Sequence, residues 1–591
     1  MKEEFMRLPR LIPVAAACLS MACAAAIPAM ATGPLPAASD VGRTVLAGTA
    51  PTWAQRTAPT VSRGATSAIV LLKPSATDAE RRDVTGWLRS QGIHVDRDRA
   101  SIHAMSVSGP RAALAHAFDT TFVRQRVSGR TAVVPARALS VPSGLNAVQS
   151  VAGLVDTDAA VPTTVAAPQT SDDCAAYWGQ KLSVNWPASV KVDHRSNALC
   201  GYGPQRLRAI HELPQDATGQ GATIAIVAAF DDDSVEANTN TYSAASKMQG
   251  FRPGQYTHHA PQDPDTSRCG GPSAWTTEQH LDVQAAHAIA PDSNIEYWGA
   301  GSCSTQSLYS RILDAGEAPS APDVISLSFG ADEDLDTAAD RTLLNRVLVE
   351  AASRGISVFA STGNDGDNSL AGDHAEGPGV NSPASSPYVT AVGGTSTGLD
   401  ADDHIAVEAG WETQTRFAHN GAIIPPGFIY GAGGGESKCY PRPSWQRSLS
   451  ASGTGRLMPD VSSLADPNTG FTIYSPVDGK PSYEAHGGTS LATPMVASTV
   501  AVAKARSHRR IGLASPAFYA LAGTPRIARR DAGLGRDVVS PQQGTGQLWL
   551  ETLYLWDTKQ QTLQSGAGWD EVTGLGVPTG SAFLERFGAQ R

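Results

Sequence analysis

Four runs of apolar and small residues, separated by segments with helical periodicity, restrict the fold of this chain more than any other feature. They lie at residues 222–230, 323–329, 356–360 and 388–392, and none carries a charged side chain after its first residue. Strands of a parallel sheet covered by helices on both faces have this pattern, because neither face meets water. The runs therefore predict an α/β domain with a doubly wound, mostly parallel sheet, whose ligands bind beyond the carboxyl ends of the strands.

Residues 67–154 predict a separate, small α+β module in front of this domain. Strand-like runs at 68–72 and 102–107 alternate with helical patterns at 78–91 and 111–118. Residues 155–170 are rich in Val, Ala, Pro and Thr and show little periodicity, which is typical of an exposed, cleavable linker. A domain boundary is expected there.

The first 31 residues indicate a secretory signal. Basic residues precede an uncharged, alanine-rich stretch that ends in small residues; a membrane anchor is the alternative, but the proline and alanine content weakens it. The 46 Lys and Arg against 56 Asp and Glu give a net charge of -10, so there is no overall basic field for nucleic acid or an anionic membrane. We expect a secreted protein, extracellular or periplasmic, without nucleic-acid binding or stable membrane association.

Five cysteines remain after the signal, namely Cys174, Cys200, Cys269, Cys303 and Cys439. Their proximity in sequence favours two disulfides, Cys174–Cys200 and Cys269–Cys303, with Cys439 left over. A zinc site would need paired C-x-x-C motifs or a matching histidine cluster, and neither occurs. The cysteines therefore indicate an oxidising compartment.

The string GGTSLATP at 487–494 is the strongest local signal of chemistry. Glycines permit a tight turn, and a serine at a helix start lies beside unpaired N–H groups that favour negative charge, so Ser490 suits a nucleophile. A capping serine in a glycine-rich turn is the alternative that Gly-Thr-Ser alone would favour. The longer string resembles the nucleophile segment shared by subtilisin-like and sedolisin-like serine peptidases.

Glu278 and Asp282 lie four residues apart in the helical stretch 276–290, so both carboxylates occupy one face. Alone, such a pair is better explained as a solvated acidic face. The His-Gly-Thr base segment of subtilisin-like enzymes is missing, because only His486 among 14 histidines precedes a glycine. Together with the serine motif, the Glu-x-x-x-Asp pattern before HAIAP resembles the base helix of the sedolisin (serine-carboxyl peptidase, kumamolisin-like) family.

This resemblance covers most of the chain. Further matches are CGYGPQRLR at 200–208, NSPASSPYVTAVGGT at 381–395, GGGES at 433–437 and PDVSSLADP at 459–467. The 67–154 module is similar to the activation propeptide of the family. The resemblance implies a subtilisin-like fold after a small ferredoxin-like propeptide domain, with a signal peptide at 1–31, propeptide and linker at 32–170 and the catalytic domain at 171–591.

The resemblance also implies roles: Ser490 as nucleophile, Glu278 as general base and Asp282 as the acid that orients it. Two close carboxylates that hold one proton serve this purpose in acid. The family uses an Asp to help form the oxyanion hole, whereas the simplest register here gives Asn364 and the other register Asp365. An amide donates a hydrogen bond at any pH, so Asn364 is expected to keep the function; an impaired site is a third reading.

Two further groups of residues follow from the resemblance. The family binds one Ca²⁺ ion in a C-terminal loop, for which the matching residues are Asp537, Val538, Gly566, Gly568 and Asp570. Acidic residues in such loops are otherwise turn formers. Substrate is expected to lie extended as an added strand, beside Ser328, Phe329 and Gly330 and the glycine-rich segment at Gly433 and Gly434.

The sequence thus predicts a secreted, acid-acting serine-carboxyl endopeptidase, made as a self-processing zymogen. Its partners would be polypeptide substrates and its own propeptide, acting as an intramolecular inhibitor, and the protein is expected to be a monomer. Two alternatives stay open: an exopeptidase of the tripeptidyl-peptidase type, and a catalytically impaired binding or surface protein.

Overall fold

The structure is a computed structural model that describes residues 42–127, 130–157, 160–167, 174–181, 195–197, 199–369, 378–419, 422–477, 479–522, 535–536, 545–548, 552–555 and 562–589. The predicted signal peptide at 1–31 and the predicted metal ligands Asp537 and Val538 lie outside the described residues. No helix within the described ranges is both long enough and apolar enough to span a bilayer.

The N-terminal module is an antiparallel sheet of order β3-β4-β2-β8 that packs with two helices, as predicted. Helix α1 begins with a capping box at Thr77 and buries Val84 and Leu88 within the predicted helical segment 78–91. Ile102 lies in a short 3₁₀ turn rather than in the predicted strand. The elements of the module are β1 (Arg43–Leu46), β2 (Ala65–Leu72), α1 (Asp78–Ser90), β3 (His94–Arg99), β4 (Ala104–Pro110), α2 (Arg111–Ala117), β5 (Phe122–Val127), β6 (Arg130–Pro135), β7 (Leu139–Pro142), β8 (Val148–Ala152) and β9 (Asp156–Thr157).

The segment after the module forms two strands of two residues each. These are β10 (Val161–Pro162) and β11 (Val165–Ala166). Each pairs with a strand of the following domain, β10 with β17 and β11 with β28.

The C-terminal domain is built on an eight-stranded sheet in which β14-β15-β13-β16-β18-β20-β21 run in that order and β26 also pairs with β20. All pairs in it are parallel except β20 with β21. The four predicted runs form β13, β16, β18 and the start of β20, which confirms the doubly wound sheet.

The strands of this domain are β12 (Arg195–Asn197), β13 (Thr223–Ala229), β14 (Tyr256–His259), β15 (Asn294–Ala300), β16 (Val324–Leu327), β17 (Phe329–Asp332), β18 (Ser357–Ser361), β19 (Asn381–Ser382), β20 (Thr390–Leu399), β21 (Ile405–Gly410), β22 (Glu412–His419), β23 (Ala422–Gly431), β24 (Gly435–Pro441), β25 (Gly455–Met458), β26 (Val461–Leu464), β27 (Phe471–Val477), β28 (Lys480–Gly487), β29 (Gly535–Arg536), β30 (Thr545–Leu548), β31 (Thr552–Leu555) and β32 (Val577–Pro578). Its helices are α3 (Pro204–Ile210), α4 (Val235–Ala245), α5 (Ser273–Ile289), α6 (Thr305–Glu317), α7 (Ala338–Ser353), α8 (Thr489–Ser507), α9 (Ser515–Ala522) and α10 (Gly580–Gly588).

The helices that cover the sheet pack in two pairs, α5 with α8 and α6 with α7, and each pair contacts the sheet strands. Helix α8 is buried from Thr489 to Ala503, so it runs through the core and carries its first turn to the strand ends. Both predicted disulfides are present, with Cα–Cα distances of 5.0 Å for Cys174–Cys200 and 5.8 Å for Cys269–Cys303. Cys439 lies outside both.

The N-terminal module docks on α6 and α7 of the larger domain. Ile69 and Leu71 of β2 belong to the same hydrophobic core as the main sheet, so the two cores are continuous at this interface. Polar contacts frame it: Arg99 donates to Asp314 at 2.5 Å, and the Gly153 amide donates to Asp340 at 2.7 Å.

Candidate active site

Ser490 lies in the first turn of α8. Gly488, the residue before this helix, allows the backbone of the linker to come close to that turn. Gly488 has a φ of +98°, and a Cβ built on it would lie 1.9 Å from the carbonyl oxygen of Thr163. Only glycine tolerates both the positive φ and this contact. The Ser490 side chain is fully buried, and its Oγ lies 2.7 Å from Oγ1 of Thr163.

The acidic pair Glu278 and Asp282 is buried on α5 against this turn, rather than solvated. Among the described residues, Glu278 Oε1 and Asp282 Oδ2 have no hydrogen-bond donor, and one proton held between the two carboxyls would satisfy both. Burial raises the pKa of Glu278 to about 7, and hydrogen bonds from Ser490 and Thr164 offset this only in part. Burial and the neighbouring Glu278 charge raise the pKa of Asp282 well above its usual range.

Ser328 supports the acidic pair. Its hydroxyl donates to Asp282 Oδ1 at 2.7 Å and lies 3.4 Å from the Ser490 carbonyl oxygen. The sequence predicted Ser328 as a substrate contact. Its carbonyl does accept from the Thr163 amide at 3.3 Å, while its side chain is directed into the protein.

Asn364 follows strand β18 and reaches the start of α8. Its Oδ1 accepts from the amide of Thr489 at 2.9 Å and from the hydroxyl of Thr489 at 3.0 Å. Because a backbone N–H can only donate, this contact fixes which end of the amide is the oxygen. The Nδ2 group then donates to the carbonyl oxygen of Thr163 at 2.5 Å.

Asp365, the alternative residue, is placed differently. Its side chain is exposed, and its backbone forms a bridge with Gly431. The structure therefore brings Asn364, and not Asp365, to the peptide carbonyl beside Ser490.

The linker crosses the strand ends as an added strand, in part as predicted for a substrate. On one side Val161 pairs with Gly330 and Pro162 with Phe329, both antiparallel. On the other side the partner is β28, where Val165 pairs with Gly487. Gly433 and Gly434 instead pack against the backbones of Thr362 and Glu571, so substrate contact by these glycines stays a prediction.

The expectation of an exposed linker is wrong for part of this segment. Thr163 is 4% exposed and Val165 is 8% exposed. The Val, Pro and Thr residues of the linker are compatible with an extended strand. The backbone donors and acceptors of β17 and β28 hold the linker in the cleft. Two residues that the sequence did not single out, Thr164 and Ser361, complete the contacts: Thr164 donates its hydroxyl to Glu278, and Ser361 accepts from Thr163 at 2.9 Å.

The C-terminal loop around Asp570 is closed by its own hydrogen bonds. Asp570 Oδ1 accepts from the amides of Val572 and Thr573 at 2.9 Å and 2.6 Å, and Oδ2 accepts from the Gly566 amide at 3.2 Å and the Thr573 hydroxyl at 2.6 Å. These four bonds use the oxygen lone pairs that a cation would need. The described part of the loop therefore does not fit a calcium site, and calcium stays a prediction from the resemblance.

Two other groups of polar residues have no contact with Ser490 in the described part of the chain. His280, between the two acidic residues in sequence, is buried and bonds to Thr276 and Asn238. Asp231, Asp233 and His258 place possible ligand atoms within 4.8 Å of one another. Exposed acidic groups commonly cluster without an ion, so we assign no metal to them.

Two family profiles match this chain. The subtilase family profile matches residues 271–517, and the profile of the pro-kumamolisin activation domain matches residues 69–157. The chain belongs to the sedolisin family. Sedolisins are serine-type peptidases, and the match to the activation domain identifies the N-terminal module as a propeptide.

Relatives in this family are distant. Kumamolisin of Bacillus sp. (strain MN-32) is 28% identical over 401 residues, which cover 66% of this chain and 64% of that protein. Sedolisin of Pseudomonas sp. (strain 101) is 25% identical over 510 residues, 85% of this chain and 77% of that protein. Tripeptidyl-peptidase 1 of Homo sapiens is 30% identical over 329 residues, 52% of this chain and 51% of that protein. The match thus spans less than two thirds of kumamolisin and about half of tripeptidyl-peptidase 1.

A solved structure of Pseudomonas sedolisin, described as a serine-carboxyl proteinase complexed with two molecules of pseudo-iodotyrostatin, has the same fold as the C-terminal domain. It superimposes with a TM-score of 0.51 at 22% identity and covers 64% of this chain and 95% of that chain. The subtilisin-like fold predicted from the sequence is thereby confirmed.

Proposed function

We propose that this chain is the zymogen of a secreted serine-carboxyl peptidase that hydrolyses peptide bonds through an acyl-enzyme on Ser490. One observation carries the proposal: the carbonyl oxygen of Thr163 accepts a hydrogen bond from the side-chain amide of Asn364, next to the buried Ser490 and the buried pair of carboxyls. A nucleophile, a base and an oxyanion donor around one carbonyl are what acyl transfer requires.

In the proposed reaction, Ser490 Oγ attacks the carbonyl carbon while its proton passes to Glu278. Negative charge develops on the carbonyl oxygen, where the Asn364 Nδ2 group donates a hydrogen bond. The C–N bond then breaks, and Glu278 returns the proton to the leaving amine. Water hydrolyses the acyl-enzyme by the same steps and restores the free serine.

The carboxyl pair supports activity in acid. Asp282 keeps its proton more readily than a solvated carboxyl, because burial and the Glu278 charge raise its pKa. The proton shared between the two carboxyls can be passed on and taken back, while one carboxylate remains as a base. Ser328 holds Asp282 in place for this role.

The path of the linker favours endopeptidase action over removal of tripeptides. Residues 160–163 form a continuous segment that ends at the Thr163 carbonyl, which accepts from Asn364. Strand β10 pairs with β17 within this segment. A cleft that ended after three residues would not admit this segment. The similarity to tripeptidyl-peptidase 1 keeps the exopeptidase as the second candidate.

The remaining parts of the proposal rest on the sequence. We place a signal peptide at 1–31, the propeptide and linker at 32–170 and the catalytic domain at 171–591, with export as a monomer. The two disulfides support an oxidising destination. One Ca²⁺ ion in the C-terminal loop is proposed on the resemblance alone, and its binding would require Asp570 to give up some of the four hydrogen bonds described above.

The test is hydrolysis of denatured casein by purified protein after acid treatment. Ser490→Ala should abolish it, because no nucleophile remains. Ser498→Ala is the matched control: this serine lies two turns later in the same helix and is equally buried, and its hydroxyl has no hydrogen-bond partner in the part of the chain that the structure describes. Equal casein hydrolysis by wild type and Ser490→Ala would refute the proposal, and peptide lengths among the products separate endopeptidase from exopeptidase.

A further inference from the structure

The linker places one particular peptide bond against the active-site residues. We propose that the bond between Thr163 and Thr164 is the first bond that this zymogen hydrolyses in itself. This inference rests on the proposed function, and it moves the expected processing point from the end of the linker near residue 170 into the cleft.

The carbonyl of Thr163 occupies the position where an oxyanion would form. Its oxygen accepts from Asn364 Nδ2 at 2.5 Å and lies against Gly488, at a place where any Cβ would come within 1.9 Å. Donors directed at the oxygen of the scissile carbonyl are the geometric mark of an oxyanion hole.

The two residues of this bond contact the two reacting groups of the enzyme. Thr163 touches the nucleophile, with its Oγ1 2.7 Å from Ser490 Oγ. Thr164 touches the base: its hydroxyl donates to Glu278, and the hydroxyl together with the nearby backbone amide of Thr164 lowers the pKa of that carboxyl. The backbone nitrogen of Thr164 is the leaving group of this bond, so the proton from Glu278 has only a hydrogen-bond length to travel.

Backbone pairing on both sides fixes the register. Before the bond, the Thr163 amide donates to the Ser328 carbonyl at 3.3 Å. After it, the Ala167 amide donates to the Ala485 carbonyl at 2.8 Å. A slip by one residue would exchange the faces of every side chain in the segment, so Thr163 could not stay buried beside Ser490.

The reaction is a simple hydrolysis. The Ser490 Oγ–C bond forms on the Thr163 carbonyl carbon, the C–N bond to Thr164 breaks, and the Thr164 amine takes the proton. Water then releases Thr163 as a free carboxylate. One water molecule is consumed, and the two products are a propeptide that ends at Thr163 and a catalytic chain that begins at Thr164.

The experiment is acidification of the purified full-length zymogen, followed by intact-mass measurement and N-terminal sequencing of the earliest products. The expected new N-terminus is Thr164. Thr164→Pro replaces the N–H of the leaving group with a ring that shifts the bond relative to Glu278, and it should slow cleavage at this bond by about 100-fold. Thr164→Val keeps the amide and the branched shape, so its first cleavage should stay between 163 and 164.

The outcomes separate this inference from the proposed function. If wild type hydrolyses casein but its first new N-terminus lies elsewhere, or Thr164→Pro is cut at the same bond at the wild-type rate, the inference is wrong and the peptidase proposal stands. If neither the zymogen nor casein is cut by wild type, the peptidase proposal itself fails. Ser490→Ala must remain intact in pure solution for self-processing to hold.

Discussion

Asn364 is held by both ends of its side-chain amide, with the oxygen on Thr489 and the nitrogen on the Thr163 carbonyl. We expect Asn364→Ala to lower kcat by about 10²- to 10³-fold, because that is the usual loss on removal of one oxyanion donor. The fold should change little, since the site lies at the strand ends. Steady-state kinetics on a peptide substrate, with the melting temperature as a folding check, measures the effect.

Two further variants distinguish the registers. Asn364→Asp should narrow the pH profile toward acid, because a carboxyl donates only while protonated. Asp365→Ala should leave kcat near the wild-type value, since its side chain is exposed. Loss of activity in Asp365→Ala together with full kcat in Asn364→Ala would assign the oxyanion role to Asp365.

At this scale the sequence predicted the chemical groups and missed the contacts that tune them. Ser490, Glu278 and Asp282 were recognisable because their spacing recurs in a family. Thr163 and Thr164 carried no signal, because two adjacent threonines in a linker fit any extended segment. The orientation of the Ser328 side chain was also not predictable, since it depends on how β16 meets α5.

At the scale of elements, one side chain of helix α7 makes four hydrogen bonds to the propeptide. Arg346 donates to the carbonyls of Leu72, Ile102 and His103 at 2.9–3.0 Å and to Gln149 at 2.7 Å. Hydrogen bonds from a charged donor contribute about 1.5 to 3 kcal/mol each, with incomplete additivity. We expect Arg346→Ala to weaken the hold on the cleaved propeptide by at least roughly tenfold, as measured by size-exclusion chromatography of the cut complex.

The matched control lies at the end of the same helix. Arg354→Ala removes an arginine that pairs with Glu350 on the surface, away from the propeptide. It should leave propeptide retention unchanged. Identical retention in wild type and Arg346→Ala would show that the hydrogen bonds of Arg346 do not contribute to holding the module.

The C-terminal loop gives a separate prediction about calcium. If Asp570 is a ligand, a chelator should lower the melting temperature of calcium-loaded protein, because an ion bound only by the folded state stabilises it. Asp570→Ala loses four hydrogen bonds and should be less stable with or without the ion. The decisive measurement is therefore the chelator effect, present in wild type and absent in the variant. An unchanged melting curve in wild type would exclude a stabilising site.

Element prediction succeeded where burial leaves a pattern. Strands β13, β16, β18 and β20 were recognisable because strands buried on both faces carry few charges. Helix α5 begins at Ser273, three residues before the predicted start, because helix ends depend on local capping. Strands β10 and β11 have two residues each, too few for any periodicity, and they exist only because β17 and β28 offer free edges.

At the scale of the whole molecule, buried carboxyl groups should make the zymogen more stable in mild acid than at neutral pH. Burial raises the pKa of Asp336 to about 7 and that of Asp570 to about 6. A carboxyl with a raised pKa binds its proton more readily in the folded state. The contribution of these two groups to the free energy of unfolding is therefore complete below their unfolded pKa near 4 and is lost as pH rises through 6 to 7.

The measurement is calorimetry of Ser490→Ala zymogen, which cannot process itself, at pH 5 and pH 7.5. We expect a melting temperature higher by about 5 °C at pH 5. Asp336→Asn should reduce this difference, because the amide does not titrate. A melting temperature that rises steadily from pH 5 to pH 7.5 would contradict the prediction. Below pH 4 stability should fall, since hydrogen bonds and Arg252 hold the pKa of Asp292 below its usual value.

The linker that lies across the cleft also determines whether the propeptide inhibits as part of the same chain or as a separate molecule. While residues 160–167 are continuous, the propeptide meets its site at an effective concentration set by the tether, and dilution has no effect. One cut turns this into an ordinary two-component equilibrium, in which occupancy depends on the concentration of both pieces. Cleaved protein would remain inhibited at high concentration and become active at low concentration. In an exported protein, dilution into the surroundings would thus complete the activation that one hydrolysed peptide bond begins.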